Sequence, residues 1–236
     1  MRNISKIIVI LILGAIGGFL FQVLILPFLI KQPFFEKFEF IKNLKERQII
    51  VNPKEEIIIQ ENVALTKAID KVEKAIIGIQ SKTKSGAGVI MTSDGLAVTL
   101  NEIIPAGSNY DVFVDGEKVN FKILNRDVKE NLASLKIEKS DLLTCKFADL
   151  EKIKLGQRVF LKGVVFEQGT PKKVVNEGII KSFDENTIQT NILEKSSLKG
   201  AGLFNLEGEI LGLVVINNNG EVSAIPITKI RLFLKL

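Results

Sequence analysis

The chain has 236 residues, a net charge of +5, one cysteine and no histidine. This length holds one membrane segment and one domain of roughly 170–200 residues, enough for a large core. Cys145 stands alone, which excludes an internal disulfide, and no Lys/Arg run has the look of a nucleic-acid footprint, so no nucleic acid is expected as a partner. The missing histidines carry little weight by themselves, because tryptophan is missing too. No metal and no cofactor is expected.

Ile7 to Ile30 carries no charge, and Gln22 is its one strongly polar side chain. About two dozen residues at ~1.5 Å each span ~36 Å, more than the ~30 Å hydrocarbon core of a bilayer. A cleaved signal peptide would have a shorter apolar core and an A-x-A-like site, which is not found, so the segment reads as an uncleaved signal anchor. Arg2 and Lys6 precede it without an acid, which places the N-terminus in the cytoplasm and the bulk of the chain outside. Gly14 and Gly18 form a G-x-x-x-G pair that would let two helices approach, so a homo-oligomer is one expectation.

From Pro33 to Arg47, Phe34, Phe35, Phe38, Ile41 and Leu44 recur near helical spacing between charges. The stretch reads either as an interfacial helix or as a stalk continuing the anchor. Ile49 to Gln60 reads as a spacer with one short strand, Ile57-Ile58-Ile59. The chain thus divides into a cytoplasmic tip and anchor (1–31), a juxtamembrane linker (32–62) and a folded domain (63–236).

Glu61-Asn62 caps a helix expected from Val63 to Ala75, with Val63, Ile69, Val72 and Ile76 on its apolar side. Short strands follow. Ile76–Gln80, Gly88–Met91 and Ala97–Leu100 come first, then a hairpin around Asp115-Gly116, then Leu132–Ile137. The second half continues with Arg158–Lys162, Gly178–Ser182, Thr187–Thr190, Leu203–Asn205, Glu209–Ile216 and Val222–Ile225. Many short strands between turn signals argue for an all-β barrel or sandwich.

Ile188-Gln189-Thr190-Asn191 followed by Ser197 to Glu209 (SLKGAGLFNLEGE) resembles the nucleophile segment of trypsin-like proteases of the HtrA (Deg) family. Gly86 to Ile90, Ser93 to Thr99 and Ala224 to Ile227 resemble other segments of that family, and Leu155 to Val159 is a weaker match. The resemblance implies two antiparallel β-barrels packed side by side with a cleft between them. It runs from about Val63 to Ile230, and the PDZ domain of many family members is not expected here.

In that frame the three catalytic positions hold Glu102 for the histidine, Asn131 for the aspartate and Lys199 for the serine. A serine protease needs a hydroxyl nucleophile, an imidazole to carry its proton and a carboxylate to orient the imidazole. The resemblance implies that Glu102 and Lys199 face each other with Asn131 behind Glu102, and an ion pair closing the old site is expected. The backbone amides of Ser197 and Lys199 would form the oxyanion loop, though Ala201 and Gly202 stand where the family has Gly-Pro. Lys199 beside Ser196 and Ser197 also admits a lysine base with a serine nucleophile.

Three functions follow as expectations. One is a membrane-anchored domain, no longer an enzyme, that binds a peptide or protein outside the cytoplasm. There the strand Gly212, Leu213, Val214, Val215 and Ile216 would pair with the partner's backbone. A structural or assembly subunit with a closed cleft is the second, and a residual serine-type endopeptidase using other residues is the third.

Overall fold

The computed structural model describes residues 2–25 and 53–236. They form two units, Met1–Ile58 and Ile59–Leu236. In the first, α1 (Arg2–Leu20) runs into a π-helical turn (Phe21–Ile25). From Ile10 on, the surface is apolar, with Ile10, Leu11, Leu13 and Phe19 of the helix and Leu24 of the turn exposed. Among the described residues no helix is long and apolar enough to cross a membrane. The 19 residues of α1 reach only about 29 Å and begin with a charged segment, against a core of ~30 Å. The expected span Ile7–Ile30 continues past Ile25 into residues outside the described ones, and the segment Pro33–Arg47 lies wholly outside them.

α2 (Pro53–Val72) starts ten residues ahead of the expected Val63, and a 3₁₀ turn, Glu73–Ala75, closes it. The Ile57–Ile59 run is therefore helix, not strand. A short β-branched run suits either state, and proline is well placed in a first helical turn, where its missing N–H costs nothing. The helix buries Ala68 and Val72, with Leu65 and Ile69 partly covered, while Val63 is exposed. Ile69, Val72 and the buried Ile76 thus lie on the expected apolar side, and Val63 alone of that set does not. Lys71 Nζ donates to the Glu207 carbonyl (3.2 Å) and ties the helix to the turn ahead of a later strand.

The first sheet has the order β5-β4-β1-β2-β3-β7-β6. Its strands are β1 (Ile76–Gln80), β2 (Ser85–Ile90), β3 (Leu96–Leu100), β4 (Asp111–Val114), β5 (Glu117–Val119), β6 (Phe121–Asp127) and β7 (Leu132–Ile137). β5 and β6 lie at opposite ends of this order and do not pair, so the sheet is a curved half-barrel. Of the two expected antiparallel barrels this one is a half-barrel, with the three-residue β5 at one of its edges.

The second sheet closes. Its strands are β8 (Lys146–Phe147), β9 (Arg158–Glu167), β10 (Thr170–Phe183), β11 (Ile188–Leu193), β12 (Gly202–Asn205), β13 (Glu209–Ile216) and β14 (Glu221–Pro226). The order β12-β9-β10-β11-β14-β13, with β12 also paired to β13, makes a six-strand barrel, and β8 adds to β13 in parallel. Phe160 and Phe204, both fully buried, stack with centroids 5.4 Å apart at its centre. β9 and β10 form one long hairpin. From it Val164 and Phe166 reach Gly78 of β1, and Phe166 meets Phe113 at 5.4 Å. The chain ends in α3 (Ile227–Leu234), which buries Ile227 and Ile230.

Candidate active site

Glu102, Asn131 and Lys199 come from three separate elements and meet in the cleft. Glu102 follows β3 on a tight turn. Ile103 and Ile104 are buried and pin that turn, and the Ile103 and Ile104 amides donate to Leu100 and Asn101 carbonyls at 3.1 and 3.2 Å. The Arg126 guanidinium donates to the Ile104 carbonyl and to Asn101 Oδ1, holding the turn from outside. Asn131 precedes β7 at φ 55°, a left-handed conformation that asparagine tolerates better than most residues. Its carbonyl accepts from the Asn101 amide (3.0 Å), and its Oδ1 accepts from the Glu102 amide (3.0 Å). Next to it, Glu130 takes an ion pair from Lys229 of α3 (2.8 Å).

Lys199 follows a 3₁₀ turn, Ser196–Leu198. Its carbonyl accepts from the Ala87 amide of β2 at 2.9 Å. Gly200, at φ +78°, then brings the chain back so that its amide donates to the Val214 carbonyl (2.8 Å). A backbone bond thus joins the two sheets at the position that carries the site's cation.

Lys199 Nζ donates to Glu102 Oε2 at 2.8 Å, and Asn131 Nδ2 donates to Glu102 Oε1 at 3.1 Å. Both oxygens of Glu102 are engaged. Lys84 Nζ adds a bond to the Glu102 carbonyl (2.7 Å). Partial burial alone would push the Glu102 carboxyl up. The hydrogen bonds from Lys199 and Asn131 and the nearby positive charges outweigh it and hold the carboxyl below the ordinary glutamate range. A carboxyl lowered on folding adds stability above its unfolded pKa, and that contribution fades as pH falls through the folded value. The pair therefore holds at neutral pH and opens only on the acid side of the usual glutamate titration. In a double-mutant cycle on thermal unfolding, Glu102→Gln and Lys199→Met show a coupling of about 1 kcal/mol at pH 7. The coupling fades as pH falls through the lowered titration of Glu102. A coupling of zero at pH 7 would show that the contact adds no stability.

The Ser196–Leu198 turn, expected to serve as an oxyanion loop, uses its amides internally. The Lys199 amide donates to the Ser196 carbonyl (3.2 Å) and the Leu198 amide to the Lys195 carbonyl (3.0 Å). The Lys199 N–H is thus spent within the 3₁₀ turn rather than aimed at a bound carbonyl. Of the strand Gly212–Ile216, the first part is already paired on both sides. Gly212 and Leu213 lie between β12 and β14, and Val214 bonds Gly200 and Ala201 while running beside Ala224. Beyond it the partner on the β12 side has ended. Strand alternation turns the Ile216 N–H and C=O the same way as those of Val214, toward that edge.

Beside the pair lies a recess of about 280 Å³ lined by Thr83, Lys84, Ser85, Glu102, Ile103, Ser196, Ser197 and Lys199. Lys84 and Ser85 were missed in reading the sequence, because they sit just ahead of the glycine-rich match, at the entry to β2, with no signature of their own. Cys145 is buried away from the cleft, and burial pushes its thiol up to about 12, so it offers no thiolate at neutral pH. Among the described residues no group of His, Cys, Asp and Glu could hold a metal ion.

A six-strand barrel against a half-barrel, with a polar cleft between them, defines the trypsin-like architecture. A family model for the trypsin-like peptidase domain matches residues 86–213, more than half of the chain, and the chain belongs to that family. It is 31% identical over 147 residues to a probable periplasmic serine endoprotease DegP-like of Hahella chejuensis, covering 58% of this chain and 30% of that relative. It is 30% identical over 138 residues to the protein of the same description from Rhizobium meliloti, covering 54% and 27%. A probable periplasmic serine protease do/HhoA-like of Haemophilus influenzae is 31% identical over 160 residues, covering 60% and 34%. The chain thus spans about a third of the length of these curated relatives.

These relatives correct one expectation. The chain was expected not to be an enzyme, yet its family is a peptidase family and its relatives are named as serine proteases. The absence of histidine removes one mechanism, the one that needs an imidazole. It does not speak for other chemistries.

Proposed function

We propose that this chain is a membrane-tethered, extracytoplasmic trypsin-like domain that captures an extended polypeptide by strand addition beside the Lys199–Glu102 cleft. The observation that carries the reading is the end of β12 pairing at Val214: Ile216, buried in the chain alone, keeps β14 on one side and has no ladder partner among the described residues on the other. Main-chain hydrogen bonds at such an edge give affinity without regard to sequence, and pockets for alternate side chains give selectivity. The tether rests on the uncharged run Ile7–Ile30 and on the apolar surface of α1; the location rests on Arg2 and Lys6 ahead of that run and on relatives named as periplasmic.

Strand addition has a testable periodicity. Extended peptides are titrated onto the full chain in detergent micelles, with N-methyl groups on every second amide. One phase of methylation abolishes binding, because it blocks the amides that face β13, and the opposite phase leaves it nearly unchanged. Equal effects of the two phases would sink the proposal.

A second reading is peptide hydrolysis, favoured by the family and by Ser196 and Ser197 lining the same recess as Lys199. For Lys199 to serve as a base it has to leave Glu102, since an ammonium held by a carboxylate has no lone pair to accept a proton.

A further inference from the structure

Resting on the reading of the cleft as a peptide site, we propose that the recess selects a peptide carboxylate, taken by Lys84 together with the hydroxyls of Ser85, Ser196 and Ser197. The argument begins with charge. Two ammonium groups line the recess, and Glu102 is the one carboxylate among its lining residues. Glu102 has committed one oxygen to Lys199 and the other to Asn131. Lys84 bonds a neutral carbonyl, that of Glu102, and among the described residues it meets no carboxylate oxygen at ion-pair distance. Two of its three N–H donors are left over.

Geometry points the same way. Lys84 sits on a turn made rigid by Ser81, whose hydroxyl accepts from the Thr83 and Lys84 amides (3.3 and 3.0 Å) and donates to the Lys84 carbonyl (3.1 Å). These bonds fix the Lys84 backbone, and the bond from its Nζ to the Glu102 carbonyl (2.7 Å) keeps the ammonium at the recess. A volume of about 280 Å³ takes a single carboxyl-bearing side chain or a chain terminus, and the lining is hydroxyl-rich. A carboxylate placed there accepts a charge-assisted bond from Lys84 and neutral ones from serine hydroxyls without disturbing the Lys199–Glu102 pair. An apolar side chain would leave the Lys84 charge unmet.

The test uses the full chain in detergent micelles and two random octapeptide libraries, one capped at both ends and one with a free C-terminal acid. The expected result is enrichment of a carboxylate at one position, weakened about tenfold by Lys84→Met and recovered by Lys84→Arg. Enrichment of Asp and Glu in the capped library assigns the carboxylate to a side chain. Enrichment only in the free-acid library assigns it to a chain end. Peptides that bind with no carboxylate preference, or with a preference indifferent to Lys84→Met, overturn this inference while the strand-addition reading stands. Failure of both libraries to bind overturns both.

Discussion

The triple substitution Glu102→His, Asn131→Asp and Lys199→Ser makes the chain reactive toward a fluorophosphonate at position 199. The three side chains already touch in sequence, Lys199 to Glu102 at 2.8 Å and Glu102 to Asn131 at 3.1 Å. Each donor or acceptor in the new set falls on a site that holds a hydrogen bond in the natural one. The Asn101–Asn131 backbone bond and the Ala87–Lys199 backbone bond hold all three positions whatever side chains they carry. An imidazole at 102 would take the proton from the hydroxyl at 199 while the carboxylate at 131 fixes its tautomer. Turnover of a peptide ester is expected to lag the labelling. The amide of residue 199 is engaged by the Ser196 carbonyl, and an oxyanion hole lacking one donor costs about 10²–10³ in rate. Position 199 is read by peptide mapping of the labelled protein. Absence of label there, with the variant folded, would show that the cleft does not align the three groups. The same probe on the natural chain decides the hydrolytic reading, which requires a label lost in Ser196→Ala or Ser197→Ala.

Gly200→Ala is expected to cost about 3 kcal/mol of stability or more, against about 1 kcal/mol for Gly169→Ala. Both glycines have positive φ, +78° and +82°. At Gly169, the tip of the β9–β10 hairpin, an added Cβ meets nothing within 4 Å. At Gly200 it would run into the Ala87 carbonyl oxygen and lie 2.8 Å from Ile103 Cδ1. That oxygen already accepts from the buried Thr99 hydroxyl at 2.7 Å, so it has nowhere to go. Backbone strain is common to the two variants, and the difference between their unfolding free energies isolates the contact. Equal losses would mean that the two sheets part easily at this seam.

Much of the barrel core was legible because strands such as Leu132–Ile137 and Glu209–Ile216 are apolar runs bounded by turn residues. The β9–β10 hairpin was not. Only Arg158–Lys162 and Gly178–Ser182 were recognised, since Pro171, Lys172, Lys173 and Asn176 interrupt the apolar alternation of a strand that runs to Phe183. That strand is held by its ladder to β9, whose Val164 and Phe166 in turn meet Gly78 and Phe113, which no local pattern reveals. α3 went unrecognised for a similar reason: eight residues are too few for a periodicity to declare itself. In the cleft, the proximity of Glu102 and Lys199, 97 residues apart, could be read only through family resemblance. The inward use of the Lys199 amide and the bond from Lys84 to the Glu102 carbonyl could not, because both are set by local loop conformation.

The bond from the Ala87 amide to the Lys199 carbonyl belongs to the main chain, and so does the turn at Gly200 behind it. Side-chain identity at 199 is therefore exchangeable currency for a lineage. A serine, a lysine or another residue can be installed there without renegotiating how one barrel docks on the other. A framework that keeps its geometry in amides and carbonyls can change chemistry one codon at a time while remaining the same object to fold.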